Sequence, residues 1–461
     1  MTGPTVVPAS FRDPAGFVWT EGGAIYRHVG EEHREQYDRF MSSGLYDELV
    51  SEGMLVPHVE TTEVASPRAG AYKVLKPEVV DLISYPYEWS FSQLKDAALL
   101  TLEVQKRSME RGMSLRDATA YNVQFRRGKP VLIDTLSWEV TPEGRPWIAY
   151  RQFCQHFLAP LALMAHCDVR LGTLSRTYID GVPIDLASSL LPRRTRYSAG
   201  LLAHIHTQAR VERRHQASTE APRVRQRPMS EQALKGIVWS LERAVRKLEW
   251  KLPKTAWRDY YAEAGHYSDV ALDHKKELVG LFLDDAGGRT VWDLGGNVGV
   301  FSREAVARGK SVVCFDIDPA CVEMNYRKVV EDGETDLLPL LSDLRNPIPA
   351  LGWGNRERSA FAERGPVDVA MALALIHHLA IGNNVPLAMV AEFFAELRKK
   401  LIIEFVPKSD PMVQTLLANR EDIFPSYDTN GFEEAFGTFF DVERKEPIKE
   451  TDRVLYLLRR R

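Results

Sequence analysis

Short apolar runs, most of them closed by an acid, a glycine or a proline, punctuate the second half of the chain, and stretches of helical spacing lie between them. That alternation predicts strands at Thr290–Leu294, Ser311–Asp316, Leu337–Leu341, Val367–Leu373 and Leu401–Phe405, followed by a late pair at Phe439–Val442 and Arg453–Leu458. Strands separated by helices make a parallel sheet, so an α/β domain is expected here. The first half patterns differently. Two strand-like runs, GFVW and AIYRHV, flank the turn Glu21-Gly22-Gly23, and helical spacing over Glu31–Gly53 is interrupted at Gly44. Further strand-like pieces span Met54–Glu60, Ala71–Leu75 and Val79–Tyr85, ahead of a long helix at Ser92–Arg111. Trp147–Ala165 is apolar and helical, and its neighbours His156 and His166 read as core histidines.

Between residues 207 and 232 the chain turns polar and arginine-rich and loses apolar periodicity, which reads as a linker. An amphipathic helix follows at Ala233–Leu252, with Leu234, Val238, Leu241 and Val245 on one face. At 461 residues the chain is too long for one ordinary core. The expected division is a first domain over 1–206, the linker 207–232 and a second domain over 233–461 whose opening segment is 233–288.

Composition narrows the function classes. A net charge of -4 gives no reason to expect nucleic acid as a partner. Cys154, Cys167, Cys314 and Cys321 form no CxxC pair, so a zinc site is not expected and the thiols suit a reducing compartment. The N-terminal stretch lacks a secretory pattern and no apolar run approaches the ~18 residues of a membrane span, so a cytoplasmic protein without membrane partners is expected.

The chemistry concentrates in Val291–Ser302, VWDLGGNVGVFS, a strand, a tight turn and a helix start. A dinucleotide turn would need G-x-G-x-x-G beneath a pyrophosphate. Here Asp293 stands just ahead of Gly295, Gly296, Asn297 and Gly299, where a carboxylate would repel pyrophosphate and suit a cationic ligand. Five parallel strands, a late hairpin and this D-x-G-x-N-x-G turn resemble class I S-adenosylmethionine-dependent methyltransferases. The resemblance implies that Asp293 holds the methionine amine of S-adenosylmethionine and that Asp316, with Asp318 as the fallback, accepts the ribose hydroxyls. Asp343, after the third strand, would accept from the adenine amino group. His377 and His378, in LIHHL after the fourth strand, are candidate bases for the acceptor's proton, and Glu404 at the fifth strand could bind a substrate amine or orient a histidine. Trp257, Tyr260, Tyr261 and Tyr267 are candidate lid aromatics or packing residues.

In the first half, LRDATAYNVQF followed by a hairpin and LIDTLSWE resembles the catalytic loop and metal-binding acid of the protein-kinase fold. By that resemblance Asp117 would orient an acceptor hydroxyl while Asn122 and Asp134 hold magnesium. The chain departs from that pattern: no glycine-rich phosphate loop is present, no lysine stands on the strand before the first helix, where one is expected and Arg27 is the nearest basic residue, and Thr135-Leu136 follows Asp134. The whole chain resembles bacterial two-part methyltransferases related to nodulation proteins, with a kinase-like α+β domain ahead of a Rossmann-like methyltransferase sheet. The expected activity is methyl transfer from S-adenosylmethionine to a small molecule such as a natural product or saccharide. The alternatives are a bifunctional kinase–methyltransferase, or a first half that recruits substrate or protein without catalysis.

Overall fold

A computed structural model describes residues 3–141, 144–216, 228–253, 268–365, 367–418 and 420–461. The chain is mixed α/β and divides into two compact units. One comprises Met1–Lys251 with Ala350–Arg358, the other Leu252–Pro349 with Ser359–Arg461.

The first unit opens on a five-stranded sheet of β1 (Thr5–Val6), β2 (Gly16–Glu21), β3 (Ala24–Gly30), β4 (His58–Glu60) and β5 (Ala71–Pro77), in the order β1-β2-β3-β5-β4. The Gly22-Gly23 turn joins β2 to β3 as an antiparallel pair, both glycines having positive φ. Helices α1 (Arg34–Ser42) and α2 (Leu45–Ser51) divide the expected helical stretch at Gly44, whose φ of 76° no L-residue would adopt cheaply. The stretch Val79–Tyr85 forms no strand, and Val79 and Ile83 stay exposed.

Helix α3 (Phe91–Glu110) is fixed at its start by a capping box, Ser90 accepting from the Gln93 amide and Gln93 returning to the Ser90 amide. After it come β6 (Met113–Leu115), the hairpin of β7 (Val123–Arg126) with β8 (Lys129–Leu132), and β9 (Trp138–Val140), which pairs with β6. The apolar helix beyond them is broken by a π-helical segment, Cys154–Leu158, before α4 (Ala159–His166). His156 is buried as expected.

The linker expected over 207–232 is partly helical, since Gln208–Gln216 is an α-helix; residues 217–227 lie outside the described set. Helix α5 (Glu231–Lys247), assigned above to the second domain, belongs to the first unit. Its buried face of Leu234, Val238, Leu241 and Val245 needs an apolar partner, and it packs along α3, where the Lys95 ammonium also binds the Arg246 and Leu248 carbonyls.

The second unit starts with α6 (Asp269–Ala286) and carries a seven-stranded sheet. Its strands are β10 (Thr290–Leu294), β11 (Ser311–Asp316), β12 (Leu337–Leu341), β13 (Val367–Ala372), β14 (Arg398–Phe405), β15 (Phe440–Pro447) and β16 (Val454–Arg460), in the order β12-β11-β10-β13-β14-β16-β15. The first five are mutually parallel, and β16 enters antiparallel between β14 and β15. Strand order reverses beside β10, and ligands of open α/β sheets bind in the crevice at such a point. Phe282 and Leu283 of α6 pack with Val291, Val369, Ile402 and Leu455 into one core. Among the described residues no helix is long and apolar enough to cross a membrane.

Candidate functional site

The turn after β10 is built by backbone necessity. Gly295 and Gly299 have φ of 79° and 80°, and Asn297, a residue that tolerates the left-handed region, has 54°. Gly296 is required for space: a Cβ there would lie 2.5 Å from Cys314 Sγ and 2.7 Å from Asp293 Oδ2. Helix α7 (Val300–Val306) starts immediately beyond, with Gly299 at its N-cap.

Three acids stand at or after the carboxyl ends of β10, β11 and β12. Asp293 is 1% exposed and accepts from Ser302 Oγ at 2.6 Å, and burial pushes its carboxyl up to about 6. Asp316 accepts from the Asn297 amide at 2.8 Å and from the Asp318 amide at 2.8 Å. Burial dominates there too, holding its carboxyl at about 6 against those hydrogen bonds. Asp316 therefore ties the glycine turn to the end of the neighbouring strand. Asp318, the fallback for the ribose, is occupied as the N-cap of α8 (Pro319–Asp332), accepting from the Ala320 amide at 2.8 Å. Asp343 is partly exposed and paired with Arg345 at 2.8 Å, which draws its carboxyl below the usual range against the opposing pull of burial. The turn and the first two acids thus form one buried constellation, and Asp343 lies beyond the next strand with an arginine partner.

At the end of β13, Ala374 has a φ of 49°, an uncommon conformation for a residue with a side chain. Helix α9 (Ile376–Ala380) follows and carries both histidines, their ring centroids 4.1 Å apart. His377 is 1% exposed, and neither of its ring nitrogens has a hydrogen-bond partner among the described residues. Burial holds it far below the ordinary histidine value, so it is neutral. His378 is half-buried and drawn down to about 4, chiefly by burial. Glu404 on β14 is fully buried between Lys275 Nζ at 2.6 Å and Arg453 Nη1 at 3.2 Å, and Arg453 Nε continues to Asp410 at 2.6 Å. The residue expected to bind a substrate amine or orient a histidine is thus engaged by two buried cations. Lys275 and Arg453 escaped sequence reasoning because an isolated basic residue on an amphipathic helix, or ahead of a strand, reads as solvent-facing. Trp257, Tyr260, Tyr261 and Tyr267 lie outside the described residues.

In the first unit the expected kinase-like residues do come together, on a cavity of about 810 Å³ that Asp117, Asn122 and Asp134 all line. Asp134 accepts from the Leu136 amide at Oδ1 and from Ser137 Oγ at Oδ2, and Arg27 Nη2 sits 2.5 Å from Oδ1. Arg27 also reaches Asp13 at 3.1 Å, and Arg116 meets Asp13 at 2.8 Å. Asn122 donates to Ser137 Oγ. Asp117 accepts from the Thr119 amide, and burial raises its carboxyl. Among the described residues no group of three or more His, Cys, Asp or Glu side chains is arranged to hold a metal ion.

No family model matches the chain. Solved structures similar to parts of it include the bifunctional kinase-methyltransferase WbdD, at 16% identity and a TM-score of 0.31, covering 47% of this chain and 45% of that one. The magnesium protoporphyrin IX methyltransferase ChlM of Synechocystis PCC 6803 with bound SAM gives 18% identity and a TM-score of 0.30, over 44% of this chain and 94% of that one. Likeness at that level is too loose to carry a functional argument. The sequence relationship is of another order: nodulation protein NoeA of Rhizobium meliloti (strain 1021) is 35% identical over 462 residues, 99% of this chain and 96% of the relative. A match of that extent runs through both units, and the chain belongs to the family of nodulation protein NoeA.

Proposed function

We propose that the second unit is an S-adenosylmethionine-dependent methyltransferase acting on a small-molecule acceptor. The observation that carries the reading is Asp293, a buried carboxylate at the base of a glycine turn, where the strand order of the sheet reverses. A desolvated acid in that place favours a cationic ligand and opposes a pyrophosphate. The residues fit the cofactor: Asp293 would hold its ammonium group, Asp316 its ribose hydroxyls, and Asp343 its adenine amino group once Arg345 gives way. Gly296, which has no room for a Cβ, keeps the turn backbone close to the ligand. When bound, the cofactor supplies an electrophilic methyl group on a sulfonium.

The chain's own task is to hold an acceptor on the methyl axis and to take its proton. His378, the less buried of the pair, would accept that proton. His377, neutral and packed against it, would fix its ring. Glu404, Lys275, Arg453 and Asp410 form a self-compensated charge cluster beneath the reacting end of the sheet, and the cluster holds β14 and β16 in place.

Calorimetry on the full chain tests the assignment. S-adenosylmethionine and its demethylated product should bind in the micromolar range, and Gly295→Arg should abolish both. Unchanged binding by that variant would refute the site.

The first unit is read as kinase-related in plan and not as a phosphoryl-transfer site. Phosphoryl transfer depends on metal-held phosphates, and the arginine against Asp134 competes with a metal there.

A further inference from the structure

The cavity of the first unit has no part in that reading. Its volume of about 810 Å³ falls in the ~300–1,000 Å³ range of small-molecule sites. Two of its lining guanidiniums, Arg27 and Arg358, each carry a buried Nε–H without an acceptor among the described residues, and His58 Nδ1 is likewise without a partner. Buried polar groups are seldom left unmatched, because each gives up water without gaining a partner. Such groups gathered on one cavity call for a ligand that brings its own oxygens.

The lining also decides the ligand's charge. Seven carboxylates and four guanidiniums surround the space. The inner acids already have arginines: Asp134 and Asp13 share Arg27, Asp13 also takes Arg116, and the almost fully buried Glu357 forms a two-pronged pair with Arg12 at 2.8 and 2.9 Å. Compensated pairs give a cation little to gain. The lining holds three more carboxylates than guanidiniums, and that excess opposes a polyphosphate that has no metal to shield it.

What remains is a neutral molecule. Fixed carboxylate–guanidinium pairs set an acceptor beside a donor, the arrangement that two adjacent hydroxyls satisfy. Between them lie apolar walls of Ile25, Val56, Leu75 and Ile133, and the Tyr121 ring, which is itself covered by Arg358 at 3.9 Å. Those walls suit the C–H faces of a pyranose ring.

We propose that this cavity binds an uncharged, hydroxyl-rich molecule of the saccharide class, without a divalent cation, and that Arg27 occupies the place a metal would take beside Asp134. The guanidinium supplies a permanent positive charge and a spare N–H, which makes the site independent of metal supply.

The test uses the full chain and a panel of methyl glycosides of the common hexoses and their disaccharides, followed by saturation-transfer NMR and calorimetry. At least one glycoside should bind, with affinity unchanged by EDTA and reduced about tenfold or more by Arg27→Met. Because Arg27→Met exposes two acids to each other and could disturb folding, Ile133→Trp serves as a second variant that fills the cavity while leaving every ion pair in place; it too should abolish glycoside binding. S-adenosylmethionine binding, measured in parallel, should persist in Ile133→Trp, which separates failure here from failure of the methyltransferase assignment. The proposal is overturned if no glycoside binds at roughly 10 mM, if binding requires magnesium, or if magnesium-ATP binds and Ile133→Trp removes it.

Discussion

Lys275 places its ammonium 2.6 Å from the carboxylate of Glu404, and both side chains are almost wholly shut from solvent. Burial pulls the Lys275 ammonium below its usual value even with Glu404 against it. Two such charges are tolerable only together, because each alone would face the full desolvation cost. Arg453 shares Glu404 and is itself held by Asp410, so two anions and two cations close the cluster.

Glu404→Gln should therefore be strongly destabilising, by about 3–5 kcal/mol, since it removes the anion set between two buried cations. The double variant Lys275→Met/Glu404→Gln should recover part of that loss. Denaturant unfolding of the full chain reads both, and a double variant no more stable than Glu404→Gln would show that the pair is not coupled.

Cofactor affinity should depend on pH through Asp293 and Asp316. Each has a carboxyl raised to about 6 by burial, and the proposed ligand contacts need the ionised form. Binding should be constant above pH 7 and weaken below about 6, as protons compete for the two acids. The same shift bears on folding in the opposite sense. An acid whose folded value lies above its unfolded one favours the folded state at low pH and loses that contribution as pH rises through 6. Calorimetry between pH 5 and 8 should show proton release on binding near pH 6; a flat profile would remove both acids from the site.

Gly296→Ala should lower S-adenosylmethionine affinity at least about tenfold, because the new methyl must displace Asp293 or Cys314. Gly295→Ala should act differently. Its Cβ would meet only Leu375 Cδ1 at 3.3 Å, and the cost is the backbone strain of a φ of 79°, about 1 kcal/mol. Affinity and thermal stability measured on both variants distinguish the two: the first should lose binding more than stability, the second the reverse.

Much of this was legible in the chain because local chemistry wrote it. The strands β10, β11 and β12 lie where apolar runs end in acid or glycine, and Gly44 broke a helix where a left-handed residue was needed. What escaped was set by distant partners. Helix α5 looks the same from sequence whichever unit its apolar face joins, and only packing on α3 decides it. Residues 350–358, read as part of the second domain, belong to the first unit, where Glu357 pairs with Arg12 across 345 positions of sequence. Arg27 carried a faint signal, as the nearest basic residue on the strand where a lysine was expected, but its bond to Asp134 needed the fold.

The histidine pair allows a sharper division of labour. His377 is sealed, neutral and, among the described residues, without a partner on either nitrogen, whereas His378 is half-buried on the same short helix, its carbonyl held by Asn383 Nδ2 at 2.6 Å. A base must reach its substrate, and a sealed ring cannot. His378→Ala should accordingly lower kcat by about 10²–10⁴ with cofactor affinity intact. His377→Ala should lower kcat less and act on KM as well, because it removes the ring against which His378 rests. His377→Asn, polar but too small to replace that ring, should resemble His377→Ala in kinetics. Once an acceptor is in hand, steady-state kinetics across about pH 3–8 will separate the roles: the acidic limb of the kcat profile, expected near 4, should vanish in His378→Ala and survive in His377→Ala. The reverse pattern would make His377 the base and require the site to open before reaction.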